Sequence, residues 1–132
     1  MVKITWVQGL QFLAEDDYDH KIVVDTEKAF GGLDQGFRPM DLMLVSLAGC
    51  MGMDIVSILQ KKGGKIKDFA VDTTGVKAID HPHKFTKITV RIKCEGDYKQ
   101  EDLLRSFELS RDKYCSVVAT LSEKPELEFI VD

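Results

Sequence analysis

From Leu42 to Leu59 the chain runs for 18 residues with a single charge, Asp54. As a helix this stretch would reach about 27 Å and carry apolar side chains around most of its circumference. A bilayer span needs about 20 mostly apolar residues, and a central aspartate is costly in lipid. Gly49, Gly52, Ser46 and Ser57 suit close packing against protein instead. The expectation is a buried core helix with no membrane association. One small sheet per chain cannot cover such a helix on every side, so a homodimer is expected. Pro39 suits the first turn, where its missing N–H has no intrahelical partner, and Gly63-Gly64 stops the helix behind basic residues at about Lys62.

Around this helix the periodicity places strands. Ile4 and Trp6 alternate with polar neighbours, Leu10 to Ala14 is a short apolar run, and Lys21 to Asp25 is a third candidate. Glu15 to His20 is acidic and turn-like, and Gly31 to Gly36 is expected as a flexible loop. Beyond the helix, Phe69, Val71 and Thr73 share one face of a strand. Ile88, Val90, Ile92 and Cys94 share one face of another. The intervening Asp80-His81-Pro82-His83 is expected as a solvated turn, since the His-x-His pair has no third ligand at a supporting spacing. A second helix opens between Asp97 and Gln100, and its apolar spacing through Leu121 carries it past Cys115. Leu127, Phe129 and Val131 read as a final strand. The order β-β-β-α-β-β-α-β makes one α+β domain over residues 1–132, without the alternation of a doubly wound fold.

The net charge of −4 leaves no basic footprint for nucleic acid. Three cysteines cannot all pair within one chain, and Met1 to Trp6 runs straight into strand-like alternation with no secretory signal. A reducing, cytoplasmic setting is therefore expected, in which thiols are buried or reactive. Cys94, on the apolar face of a strand, reads as packing. Cys50 and Cys115 sit in helical patterns. Gly49 and Gly52 each cost roughly 1 kcal/mol relative to alanine, which suggests a close approach beside Cys50. Asp54 lies four residues beyond Cys50, about 40° around the helix, and its charge opposes a thiolate there. Asp41 lies nine residues before Cys50, roughly 180° around. Arg111, four residues before Cys115, would favour a thiolate at Cys115. Local charge alone thus points to Cys115 as the better activated thiol.

At these helices the sequence resembles the OsmC/Ohr family, the osmotically inducible protein C and organic hydroperoxide resistance proteins. The resemblance rests on Arg38-Pro39-Met40-Asp41-Leu42, Leu47-Ala48-Gly49-Cys50, Asp54-Ile55-Val56-Ser57-Ile58-Leu59 and Lys113-Tyr114-Cys115-Ser116. It looks nearest to the OsmC-like branch. It implies an intertwined homodimer with long helices between two sheets and two active sites at the subunit interface. It also implies a thiol peroxidase: Cys50 attacks an organic hydroperoxide, Cys115 closes a disulfide, and an external dithiol regenerates the pair without a bound cofactor or metal. Peroxidases of the family carry a glutamate after the proline and an arginine in the N-terminal strands; here Met40 stands after Pro39 and no arginine precedes Arg38. Arg38 is then the candidate to hold the thiolate, with Asp41 to orient it. Met40, Met43, Met51 and Met53 would favour apolar peroxides. The competing expectation is a non-enzymatic dimeric module that senses redox state or binds a small ligand.

Overall fold

The computed structural model describes residues 1–131 and divides into two compact units, Met1–Met43 and Leu44–Asp132. In the first unit, β1 (Val2–Gln8), β2 (Gln11–Asp16) and β3 (Lys21–Val24) form an antiparallel meander in that order. Trp6 pairs with Phe12 and Phe12 with Val24, so the apolar alternation read from the sequence sets the register. The acidic segment divides between strand and turn. Glu15 and Asp16 belong to β2, and the Asp16 carboxylate closes the turn by accepting from the backbone N–H of Tyr18 (2.8 Å) and His20 (3.0 Å).

The glycine-rich segment after β3 is an ordered loop, contrary to the flexible one expected. Its organiser is Asp25, 2% exposed. Oδ1 accepts from the backbone N–H of Thr26 (2.8 Å) and Leu33 (3.1 Å). Oδ2 accepts from Gln35 N (3.1 Å) and Gln11 Nε2 (3.1 Å). Wrapping the loop this tightly brings backbone onto backbone: a Cβ on Gly32 would fall on the Thr26 carbonyl, and one on Gly36 on that of Val23. Turn chemistry of this kind leaves no hydrophobic period, which is why composition alone suggested flexibility.

Helix α1 spans Pro39–Lys61. Gly63, at φ +88°, terminates it: Gly63 N donates to Gln60 O (2.9 Å) and Gly64 N to Leu59 O (3.0 Å). In the second unit, β4 (Lys65–Lys77) and β5 (Phe85–Asp97) form a long antiparallel hairpin. Phe69 faces Cys94, Val71 faces Ile92, and Thr73 faces Val90. These residues line the face that meets α1, whose Leu47, Met51, Ile55 and Leu59 are buried. The i, i+4 spacing of that stripe puts all four side chains along one line of the helix. By length and composition α1 could also cross a membrane; within the chain it buries only the stripe of Leu47, Met51, Ile55 and Leu59 and leaves Val45 and Met53 exposed, short of the full burial expected.

Two sequence expectations are corrected. The second helix is not continuous: α2 (Gln100–Leu109) widens into one π-turn (Ser110–Tyr114), breaks at Cys115 and restarts as α3 (Ser116–Ser122). Periodicity does not reveal the break, because apolar residues that pack on the same core cluster, Leu103 and Phe107 before it and Val117 and Val118 after it, flank it on both sides. The last strand does not form. Residues 123–131 have no regular structure, and Leu127, Phe129 and Val131 are 70%, 85% and 97% exposed. A strand exists only where a neighbouring edge takes up its backbone groups, and among the described residues none does.

Burial raises the pKa of Asp25, but the donors from Leu33, Thr26, Gln35 and Gln11 outweigh it and hold the carboxyl below its ordinary value. Because the folded pKa is depressed, this stabilisation is present above the unfolded value of about 3.9 and is lost as pH falls through the lower folded value. Asp25→Asn is expected to lower the melting temperature at neutral pH and to flatten the acid limb of stability against pH, as read by circular dichroism. An unchanged acid limb would show that the loop does not depend on this carboxylate.

Candidate active site

The second unit brings together the two cysteines that lie 65 positions apart in the chain. Cys50 projects from the middle of α1 and Cys115 heads α3, and their sulfurs fall, with a carboxylate oxygen of Asp54, within 4.8 Å of one another. Both thiols are free. Cys115 is 3% exposed inside the cluster of Leu47, Met51 and Ile55, while Cys50 is half-buried at its margin.

The break before α3 sets the environment of Cys115. Its backbone is extended (φ −71°, ψ 103°), so it caps the helix that follows, and its Sγ accepts from Val118 N at 3.4 Å. N–H groups at a helix start favour a thiolate. Here burial outweighs them: desolvation first, and the hydrogen bond with Cys50 second, push the Cys115 thiol above its ordinary pKa, with Val118 and Val117 N–H pulling the other way. The expectation that Arg111 activates Cys115 is overturned. The π-turn displaces Arg111 from the simple i, i+4 relation, and its guanidinium is bound bidentately to Asp112, at 2.5 and 2.7 Å. It also lies over the Phe107 ring. A charge already matched by a carboxylate has little left for a neighbouring thiol.

Sequence reasoning weighed Asp54 only as an unhelpful charge and passed over Ser110. Ser110 is fully buried at the π-turn, and its hydroxyl donates to Asp54 Oδ2 at 2.9 Å across 56 positions of sequence. No local pattern predicts such a pairing; the detectable signal was Asp54 itself, the lone charge between Leu42 and Leu59. Small side chains, Ser106 and Ser110, both 0% exposed, face inward on this segment. A groove of about 460 Å³ is lined by Leu47, Met51, Phe107 and Val118, members or neighbours of the cluster that holds Cys115, but by neither cysteine. Of the four methionines expected to line a site, Met51 lines this groove, while Met43 and Met53 are exposed. Gly52 takes the predicted close approach, since a Cβ there would stand 3.5 Å from Phe69 and Val71. Gly49 opens on space.

Arg38 and Asp41 are placed by the first unit. Arg38 meets three carboxylates: Glu27 at 3.2 Å, Asp34 at 3.5 Å and Asp41 at 3.9 Å. Asp41 therefore contacts Arg38 within one chain. The arginine Nε is buried and, among the described residues, has no hydrogen-bond partner. Cys94 lies on the inner face of β5 opposite Phe69, consistent with packing. The His81 and His83 rings lie 4.1 Å apart, tilted by 57°, in the hairpin turn, and His83 Nδ1 contacts Ala78 O at 3.0 Å.

A model of the OsmC-like protein family matches residues 32–129. The protein YhfA of Escherichia coli K12 is 34% identical over 122 residues, covering 92% of this chain and 88% of YhfA. A crystal structure of a hypothetical protein from Aquifex aeolicus superposes with a TM-score of 0.81 at 29% identity, over 92% of this chain and 86% of that one. An organic hydroperoxide resistance protein OsmC from Legionella pneumophila shares the fold at a TM-score of 0.63 and 15% identity, over 92% and 87% of the two chains.

The inequality of the two thiols is directly measurable. In the reduced protein at about pH 8, iodoacetamide is expected to label Cys50 well before Cys115, because the thiolate is the reacting form. Peptide mapping that finds Cys115 labelled first would mean that burial does not govern it.

Proposed function

The chain belongs to the OsmC-like protein family, and from that premise we propose that it is a cysteine-based peroxidase of organic hydroperoxides that works as a homodimer. The observation that carries this reading is the pair of free sulfurs within 4.8 Å, one half-buried and one buried. Cys50 thiolate attacks the terminal peroxide oxygen. An S–O bond forms, the O–O bond breaks, and the leaving alkoxide takes a proton to become an alcohol, with Cys50 left as a sulfenic acid. Cys115 then gives up its proton and attacks the Cys50 sulfur. A disulfide forms and the departing hydroxide leaves as water; an external dithiol restores both thiols by exchange.

The protonated state favoured at Cys115 suits this division of labour, because a neutral thiol does not compete for the peroxide and becomes a nucleophile only when its proton is removed. Asp54, close to both sulfurs, is the group that receives the Cys115 proton. By resemblance to the family, Arg38 is the candidate to supply positive charge for the thiolate and the developing oxygen charge, with Asp41 in contact to orient it. The apolar groove lined by Leu47, Met51, Phe107 and Val118, which share the core cluster with Cys115, suits a hydroperoxide with a hydrocarbon body.

The homodimer is supported by the apolar surface this chain leaves open. Met53 is 72% exposed and Val45 48% exposed on α1, Gly49 has nothing within 4 Å, and the apolar tail around Phe129 lacks a sheet. Contiguous apolar surface of this kind marks an interface. Sedimentation at micromolar concentration is expected to give a dimer, and Met53→Glu to shift it toward monomer. A compact wild-type monomer would sink the dimer.

The competing class is a non-enzymatic dimeric redox sensor or small-ligand binder. The three carboxylates around Arg38 favour it, because they offset the charge a peroxidase would aim at its thiolate. Steady-state assays with cumene hydroperoxide and dihydrolipoamide separate the two. Under the peroxidase reading, Cys50→Ser abolishes peroxide consumption, and Cys115→Ser completes about one turnover and stalls as the sulfenic acid. If neither substitution changes the rate of peroxide loss, the binding module stands.

A further inference from the structure

The thiol pair is part of a larger donor set. Cys50 and Asp54 stand on successive turns of α1, Cys115 heads α3, and two sulfurs and a carboxylate oxygen lie within 4.8 Å of one another. We propose that Cys50, Asp54 and Cys115 form a three-ligand site for a thiophilic divalent cation of the zinc class, with the fourth position open to water.

The donor chemistry selects the metal. Two sulfurs and one oxygen exclude calcium and magnesium, which take oxygen ligands, and match the tetrahedral preference of zinc. Zinc–sulfur and zinc–oxygen bonds of about 2.3 and 2.1 Å set ligand separations of roughly 3.6–3.8 Å in a tetrahedron. The donor atoms, within 4.8 Å of one another, must draw together by up to about 1 Å to bind. Ser110, buried and donating to Asp54 Oδ2 at 2.9 Å, holds the carboxylate from behind, as a partner behind a metal ligand does. The packing of Leu47, Met51 and Ile55 around Cys115 fixes that ligand and limits exchange with water. Three protein ligands with one open position is the pattern of a site that exchanges a small ligand, not of a closed structural one.

Occupancy would have a defined consequence. A cation bridging both thiolates keeps Cys50 from attacking a peroxide and prevents the disulfide from closing, so the loaded form is chemically quiet. The site shares residues with the proposed peroxidase but does not require turnover, so each reading can fail without the other.

Cobalt(II) added to the reduced, full-length protein is the probe. Thiolate-to-cobalt charge-transfer absorption and intense tetrahedral ligand-field bands are expected, and zinc should displace both. Asp54→Asn, nearly isosteric, should weaken binding at least about 10-fold. Cys50→Ser or Cys115→Ser should each remove roughly half of the charge-transfer intensity, and Cys94→Ser should leave the spectrum unchanged. In the unmodified protein, zinc should slow iodoacetamide labelling of Cys50 and Cys115 but not of Cys94, a readout independent of how the variants fold. Absence of the charge-transfer band, an unchanged spectrum in Cys115→Ser, or unchanged affinity in Asp54→Asn would each overturn the three-ligand site.

Discussion

Burial of one stripe of α1 governs everything else in the second unit. Leu47, Met51, Ile55 and Leu59 seat the helix on the β4–β5 face and against α2 and α3. Each such side chain, fully buried, contributes about 1.5–3 kcal/mol, so the stripe as a whole is large beside the net stability of a domain. Cys50 precedes Met51 and Asp54 precedes Ile55, which places both polar groups at the edge of the buried stripe, directed toward the head of α3. The chemistry is thus a by-product of helix phase. A rotation of one residue about the helix axis, 100°, would bury a different line and separate the two sulfurs.

Two effects compete for control of the thiols, and their balance differs from what charge alone suggests. Arg111 lies four residues before Cys115, but it is bound to Asp112, and desolvation decides the protonation state of the thiol instead. The helix N–H groups beneath Cys115 temper this without reversing it. The break that creates the cap also removes Cys115 from helical register. A continuous helix would have supplied neither the N–H donors nor the inward turn of the sulfur.

The two units each contain a carboxylate that organises its surroundings, by different means. Asp25 is surrounded by backbone donors and a glutamine amide, so its charge is fully satisfied and its role is to shape a loop. Asp54 has one hydroxyl donor and two sulfurs nearby, which leaves it able to accept a proton or a cation. The same side chain is structural where its hydrogen-bonding capacity is filled and reactive where it is not.

Much of this was legible in the sequence, because the signals are local and periodic. The alternation in β1, β3, β4 and β5, the apolar run of α1 and its Pro39 and Gly63 boundaries each follow from a few adjacent residues. The motif around Cys50 and Cys115 was enough to suggest the family. What local patterns could not supply was burial and juxtaposition. The depth of Cys115 and the reach of Ser110 to Asp54 over 56 positions depend on how separate elements meet. The break at Cys115 stayed hidden because apolar residues flank it on both sides and pack on the same cluster. The alternation of Leu127, Phe129 and Val131 reads as a strand, yet a strand needs an edge to pair with. Sequence determined which segments favour helix or strand; tertiary structure decided which groups lose their water, and with it their reactivity.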